Sequence, residues 1–399
     1  MRQSEASATI AAAIVLVVGM GFGRFAFTGL YPLMVADQQI SVEGGSYAAS
    51  ANYAGYLVGA LLSVLLSGIP SRKMCTFAVV TTVASLALLA LPMPPWLIVT
   101  VRGFSGLSSA IAMVAASNWL IHERRHHHGA PALFAGVGVG ILVSAEMIAI
   151  GHLASLSSHA IWLVLALGAL ALTVVSIVMQ VFADRLKPAR MASHSGSEAQ
   201  APPPFGAPRL ILIYGLAGLG YIITATYLPL LVRSAIAIDP VHIWAIFGLG
   251  AVPSCFLWHA LHERLGTRRS LIANLLLQAA GVVLPVWHTP SAYILSALLV
   301  GATFMGTVTI AMPAARRVAA KVRFNMLAIM TAAHGIGQVI GPLVANALYA
   351  RTGSFDLPLE LAALALMFAA CLCFGAPNKK SLQKRFADDR QIVPRSARQ

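Results

Sequence analysis

Two segments 197 residues apart nearly repeat each other, and each lies in an apolar run long enough to cross a membrane. Gly21-Phe22-Gly23-Arg24, leading to Pro32-Leu33, lies over Gly218-Leu219-Gly220-Tyr221, leading to Pro229-Leu230, and in both copies the proline follows the second glycine by nine positions. Ile111-Ala112-Met113 overlaps Ile310-Ala311-Met312, and Gly136 and Gly138 overlap Gly335 and Gly337. A chain with this self-similarity is expected to fold as two related halves. Duplicated bundles of apolar helices are a construction by which one membrane site opens alternately to either side, so transport is the expected activity.

Composition names the solvent. Apolar residues make up 58% of the 399 and charged residues 10%, against about a quarter charged in soluble domains. A hydrocarbon core of about 30 Å takes roughly 20 apolar residues per helix. Twelve such runs can be marked, near 8–34, 46–69, 74–93, 95–121, 130–153, 159–182, 209–234, 241–262, 269–289, 290–315, 324–351 and 355–376. Their lengths suit helices and exceed the ten or so alternating residues of a barrel strand. The first run has no small-residue cleavage site behind a short core, so it reads as a span and not as a removed signal. The expected fold is an all-α membrane protein with twelve transmembrane helices in two six-helix repeats. The N-terminal half is placed at 1–182, a cytoplasmic linker at 183–208, the C-terminal half at 209–376 and a basic cytoplasmic tail at 377–399.

Charge placement orients the spans. Apart from Arg24 and Arg102 inside spans, and Arg233 and Arg351 outside, all 27 Lys and Arg fall on one side if the runs alternate with both termini in. The opposite loops hold Asp37, Glu43, Asp239 and Asp356. This is the positive-inside bias, and it predicts a multi-pass membrane protein with both termini cytoplasmic. The net charge of +14 is then topology, and with no soluble domain to present it, a nucleic-acid partner is not implied. Lys379-Lys380 and Lys384-Arg385 suit anionic lipid. Cys75, Cys255, Cys371 and Cys373 lie in or beside apolar runs without ligand spacing and read as packing residues. The stretch 183–208, with Pro202-Pro203-Pro204, reads as a flexible linker between the halves. A monomer without cofactor or metal is expected.

Six plus six spans around a central inner loop resemble the major facilitator superfamily over nearly the whole chain. Gly-Phe-Gly-Arg-Phe-Ala-Phe-Thr (21–28), Ser-Ala-Asn-Tyr-Ala-Gly-Tyr-Leu-Val-Gly-Ala (50–60), Gly-Tyr-Ile-Ile-Thr-Ala-Thr (220–226) and Gly-Ile-Gly-Gln-Val-Ile-Gly-Pro (335–342) look like the YbfB/YjiJ-type bacterial members. The superfamily's inner-loop signature survives as Glu263-Arg264-Leu265-Gly266-Thr267-Arg268, while its first-half copy is reduced to Gly68-Ile69-Pro70-Ser71-Arg72-Lys73 and lacks the acid. The resemblance therefore implies an inner-loop gate at Glu263, Arg264 and Arg268, with Arg72 and Lys73 at the weakened copy. The span 4 signature Arg-x-x-x-Gly is present as Arg102 and Gly106, which the resemblance links to proton-coupled members.

Three charges lie well inside spans: Arg24, Arg102 and Glu146. Each costs roughly 2.5–3.5 kcal/mol at a helix centre, and such groups usually face a cavity or each other. At 1.5 Å per residue all three fall at similar depth, somewhat outward of the midplane. In the resembled fold spans 1 and 4 line the cavity and span 5 lies beside them. The functional reading is an anion site with Glu146 as counter-ion and proton carrier; the alternative is a structural salt bridge among the three spans. Arginine's planar fork suits a carboxylate or phosphate on either reading. Phe27, Thr28 and Tyr31 share the Arg24 face, Ser105 and Ser109 share that of Arg102, and Asn52 and Tyr56 stand one turn apart on span 2. Tyr221 replaces Arg24 at the repeat position, Thr224 follows, and His334 and Gln338 pair on span 11. An amphipathic solute with one anionic end suits that asymmetry; Ser, Thr and Asn also serve to join helices.

Gly19/Gly23, Gly136/Gly140 and Gly337/Gly341 are each four apart and read as close helix contacts, and Pro32 and Pro342 as bends. Gly103-Phe104-Ser105-Gly106 matches the short motif of rhomboid intramembrane proteases, with His334 as a nominal partner, but twelve duplicated spans exceed that fold. His122 and His126 to His128 have helical spacing for a metal but sit among Glu123, Arg124 and Arg125, as in a solvated loop. No phosphate-cradling Gly-Lys motif is present, which argues against a primary pump. The expectation, with the resemblance to bacterial members implying a bacterial inner (plasma) membrane, is a secondary active transporter of a small organic solute, coupled to protons, with multidrug-type efflux of hydrophobic compounds as the alternative and a sensor on the same scaffold as a third class.

Overall fold

The computed structural model describes residues 2–66, 68–185, 205–232, 239–319 and 321–374. Most of the linker (186–204), Arg233 and the tail from 375, with Lys379, Lys380, Lys384 and Arg385, lie outside the described residues. The described chain is helical throughout. Its elements are α1 (Arg2–Leu16), a π-helical stretch (Val17–Phe25), α2 (Ala26–Ala36), α3 (Val42–Leu65), α4 (Ser71–Leu89), α5 (Pro95–Ser117), α6 (Ala130–Leu153), α7 (Ser158–Arg185), α8 (Ala207–Val232), α9 (Pro240–Val283), α10 (Pro290–Ala319), α11 (Met326–Thr352) and α12 (Asp356–Leu372). Helices follow from the solvent: in hydrocarbon every backbone N–H and C=O has to be satisfied within the chain.

Among the described residues nine helical stretches are long and apolar enough to span a membrane. The expected runs 241–262 and 269–289 fall in one such stretch, Pro240–Trp287. It is two helices joined at Gly266, whose φ of 75° and ψ of 166° leave the helical region and suit the one residue without a Cβ. Val42–Leu65 and the 17-residue Asp356–Leu372 are helices outside the nine. Pro32 and Pro342 lie inside α2 and α11, which continue through them. The surface is apolar, with Leu153 87% exposed and Leu65 78%, a finish that suits lipid and not water.

Helix ends are set by local chemistry. Ser41 accepts from Gly44 N–H at the start of α3, Asp239 from Val241 N–H at the start of α9, and Asn325 from Ala328 N–H at the start of α11. Asp37, Asp239 and Asp356 gather at one end of the bundle, where α2 ends and α9 and α12 begin; Arg124, Arg268 and Arg317 lie at the other. The segments on either side of 186–204 meet along two seams, α6 on α9 and α3 on α11, with α2 against α8. Glycines set the first seam: a Cβ on Gly138 would lie 2.6 Å from Val252 N, and one on Gly248 2.6 Å from Leu142 N.

The two ends differ. Towards the acidic end hydrogen bonds cross from one segment to the other: Thr28 Oγ1 donates to Ala225 O (3.1 Å), Ser50 Oγ to Val339 O (3.1 Å) and Trp244 Nε1 to Phe25 O (3.0 Å), and Tyr227 Oη lies 2.7 Å from Ser46 Oγ. At the basic end Arg124 donates to Ala183 O (3.1 Å), Arg317 to Thr267 Oγ1 (2.9 Å) and Arg209 to Leu372 O, each within its own segment.

Candidate functional site

The site begins with an irregular turn. Val17–Phe25 carries Gly19, Gly21 and Gly23 and winds as a π-helix, with Ala26 N–H bonded to Gly21 O. Backbone packs directly on it: a Cβ on Gly21 would lie 2.3 Å from Gly140 Cα. A π-turn mismatches the regular ladder, and such turns are frequent at functional sites. Three successive carbonyls at its end are held by side chains from other helices. Arg102 Nη1 and Ser105 Oγ both donate to Gly23 O (2.8 and 2.6 Å), Arg102 Nη2 to Arg24 O (2.9 Å), and Trp244 Nε1 to Phe25 O (3.0 Å). The two lone pairs of Gly23 O are thereby filled. Arg102 lies over the Phe27 ring at 4.5 Å, and its own carbonyl accepts from Asn52 Nδ2 at 2.9 Å. Both Nη groups of Arg102 are spent on the backbone that positions its neighbour, while its Nε, like that of Arg24, is buried with no partner among the described residues.

That neighbour is Arg24. It is 3% exposed, and its guanidinium lies over Tyr56 at 4.1 Å and Tyr53 at 5.0 Å. Nη2 donates to Gln338 Oε1 at 2.8 Å, while Nε is buried with no partner among the described residues. No carboxylate among the described residues forms an ion pair with it. A buried cation without an acid is costly, and aromatic faces offset only part of that cost.

Gln338 carries the contact onward. Its Nε2 donates to Tyr221 Oη at 2.6 Å, so the Tyr221 proton points away from the amide. His334 stacks between Tyr214 (4.3 Å) and Tyr221 (6.0 Å), and its Nδ1 lies 2.9 Å from Tyr214 O. A carbonyl only accepts, so Nδ1 carries the proton and Nε2 is left as an acceptor. Phe304 closes the wall, 5.8 Å from Tyr221 and 5.9 Å from Phe25. Thr224 is buried with its hydroxyl unpartnered, and Thr28 is taken by Ala225 O. Arg24, Tyr56, Tyr221, His334 and Gln338 thus converge, with Asn52 and Arg102 behind them. Tyr53, which the sequence reading passed over, joins them on the Tyr56 face; three-residue spacing on α3 was its only signal.

Glu146 is elsewhere. Its carboxylate lies 3.5 Å from His242 Nδ1, on the α6–α9 seam towards the acidic end, and is 46% exposed. The expected cluster of two arginines and one acid does not form, because α6 turns Glu146 towards His242 on α9 and not towards Arg24 on the π-helical stretch. Ser105 donates to Gly23 O and His334 binds Tyr214 O, so the protease-like pair is not assembled either. Of the inner-loop residues, Glu263 pairs with His259 (3.4 Å), Arg268 donates to Phe374 O, and Arg264 is exposed. Arg72 and Lys73 line a cavity of about 600 Å³ with Trp119, Glu123 and Arg124, at the basic end and away from Arg24.

The family model described as "Uncharacterised MFS-type transporter YbfB" matches residues 16–374. No curated protein matches the chain.

Proposed function

The chain belongs to this family of MFS-type transporters, and from that membership we propose that it is a secondary active transporter for a small amphipathic organic anion, anchored at Arg24 and coupled to protons. Twelve passes in two six-helix halves, 1–182 and 209–376, rock about the Arg24 site, the basic end facing the cytoplasm of a bacterium and the acidic end facing out. The break of α9 at Gly266 supports reading Pro240–Val283 as two passes. Cross-segment bonds at the acidic end, beside within-segment bonds at the basic end, correspond to a state closed to the outside.

One observation carries the substrate reading: a buried guanidinium with an unpaired Nε–H and no acid, facing tyrosine rings. A carboxylate or similar anion supplies the missing charge and accepts from the fork. Tyr221 then donates, His334 Nε2 accepts, and the rings take the apolar part. This favours an anion over the neutral hydrophobic cargo of an exporter, which leaves Arg24 uncompensated. Glu146 remains the proposed proton carrier, with His242 as its partner in place of an arginine.

Thermal-shift screening of the purified protein against a metabolite library tests the reading, because a ligand of the folded state raises its melting temperature. Organic anions are expected to raise it in the wild type and not in Arg24→Gln. Stabilisation by neutral or cationic compounds alone, unchanged in Arg24→Gln, refutes it.

A further inference from the structure

Two histidine–carboxylate pairs fasten α6 to α9 at the acidic end, and neither was legible from span chemistry. His152 Nδ1 bonds Asp239 Oδ2, and His242 Nδ1 lies 3.5 Å from Glu146 Oε1. The arrangement is reciprocal: α6 contributes Glu146 and His152, and the start of α9 contributes His242 and the capping residue Asp239. Elsewhere on this seam glycines bring the two helix backbones close together. Asp239 divides its oxygens, one accepting from Val241 N–H (3.0 Å) and the other from His152, so the carboxylate is fixed before the imidazole arrives. Three of the four side chains are 43–46% exposed and Asp239 is 20% exposed. A cavity of about 100 Å³, lined by Gly29, Pro32, His152, Asp239 and Pro240 among others, adjoins the first pair. That volume holds about three waters, enough to carry protons to it.

We propose that these pairs are a proton-binding latch: protons taken from the outer solution by His152 and His242 hold the outer ends of α6 and α9 together. Each imidazole takes one proton from hydronium in the outer solution, one N–H bond forming as one O–H bond of the donor breaks and water is released. The charged pair is a stronger hydrogen bond than the neutral one, and histidine changes charge between about pH 5 and pH 8. Acid outside therefore closes the outer gate, and loss of the protons releases it. The other titratable groups on the packed elements are engaged or lie within one segment. Asp37 on α2 accepts from Ser158 N–H (2.6 Å), Tyr31 donates to Val42 O and Tyr227 meets Ser46, while His288 pairs with Asp356 (3.1 Å) and touches Tyr293 (3.2 Å). His159 lies at the start of α7. The latch rests on the transporter reading only for naming the acidic end the outer one.

The test is a spin-label distance across the seam, between Ser155→Cys and Ser291→Cys in a Cys371→Ser background, with the full chain in lipid nanodiscs. Raising the pH from about 5 to about 8 is expected to lower the closed-to-open ratio roughly 2- to 30-fold, the range for two partly exposed ion pairs. The double variant His152→Gln/His242→Gln is expected to lose the response, and Asp239→Asn/Glu146→Gln to lose it equally while keeping a capping side chain at 239. His288→Gln, whose pair joins no two segments, is expected to keep it. A wild type whose distances ignore pH, or a double variant that responds as the wild type does, overturns the latch. Failure of the anion reading shows instead as anion-induced thermal shifts that ignore Arg24, with the distance response intact.

Discussion

Replacing Arg102 by Lys separates holding the site from binding its ligand. The substitution keeps the positive charge and the chain length over Phe27 but gives up the fork, and the fork spans Gly23 O at 2.8 Å and Arg24 O at 2.9 Å. An ammonium is a point donor on a flexible stem and reaches one of the two carbonyls in good geometry. Gly23 O retains Ser105, so the carbonyl left bare is that of Arg24. Losing one hydrogen bond to a charged group costs about 1.5–3 kcal/mol. At about 2–4 °C per kcal/mol for larger domains, the melting temperature is expected to fall by roughly 3–12 °C. Arg24→Lys, by contrast, keeps its charge and a donor for Gln338 and is expected to move the melting temperature little while weakening stabilisation by organic anions, which lose the planar fork. Thermal unfolding of both variants, with and without an anion found by the screen, reads the difference. An Arg102→Lys protein that melts within about 1 °C of wild type yet no longer responds to the anion refutes the reasoning: Arg102 is then a ligand and not a staple.

Glu146→Gln is expected to keep substrate exchange in proteoliposomes and to lose accumulation driven by an imposed pH gradient; retained accumulation places the proton elsewhere, with His334 next to test. Gly106→Ala places a Cβ 1.9 Å from Asn52 O and is expected to destabilise the α3–α5 contact by about 1–3 kcal/mol, whereas Gly103→Ala, one turn away with its nearest neighbour at 3.6 Å, is expected to be tolerated; thermal unfolding compares them. Gln338→Leu removes the amide between Arg24 and Tyr221 and is expected to weaken anion binding less than about tenfold, about 1.4 kcal/mol, since it leaves the charge in place. In sealed cells an impermeant thiol reagent is expected to reach Glu43→Cys and not Arg125→Cys, and labelling of the second inverts the orientation.

Span height was legible in the sequence and azimuth was not. At 1.5 Å per residue, an apolar run with known ends fixes how deep a side chain sits, and Arg24, Arg102 and Glu146 were placed at one level on that basis. Which way each points turns by 100° per residue, and only the packing partner decides it. Glu146 accordingly stood at a plausible height on the wrong side of α6. Arg24 was found because a charge in a glycine-rich apolar run has no other account. The role of Arg102 was hidden because it depends on the carbonyls of Gly23 and Arg24 at the end of the π-turn, and the alternating glycines there fit an ordinary close-packed helix equally well. His152 and His242 went unread because histidines at helix ends pass as ordinary boundary residues until an acid is seen across from them.

Arg24 joins the two parts of the chain through one neutral amide. Gln338 accepts from its guanidinium and donates to Tyr221, so the cation on the π-turn is tied to α11 and α8 together. A carboxylate arriving at Arg24 competes with that amide for the same fork. Both bonds have the charged guanidinium as donor and are worth about 1.5–3 kcal/mol each, so the exchange trades one tie for another whose added attraction is at most about 1.5 kcal/mol, the width of that range. That is enough to loosen one tie between the segments and too little to drive a full reorientation, which takes about 5.5 kcal/mol to move a population from one side to the other. The remainder has to come from contacts at the ends of the seams, where Tyr227 and Ser46, Ser50 and Val339, and the two histidine pairs are all made across the same line of parting. In the proposed mechanism, ligand at the centre and protons at the rim act on one equilibrium from two places, and neither alone is large enough to set it.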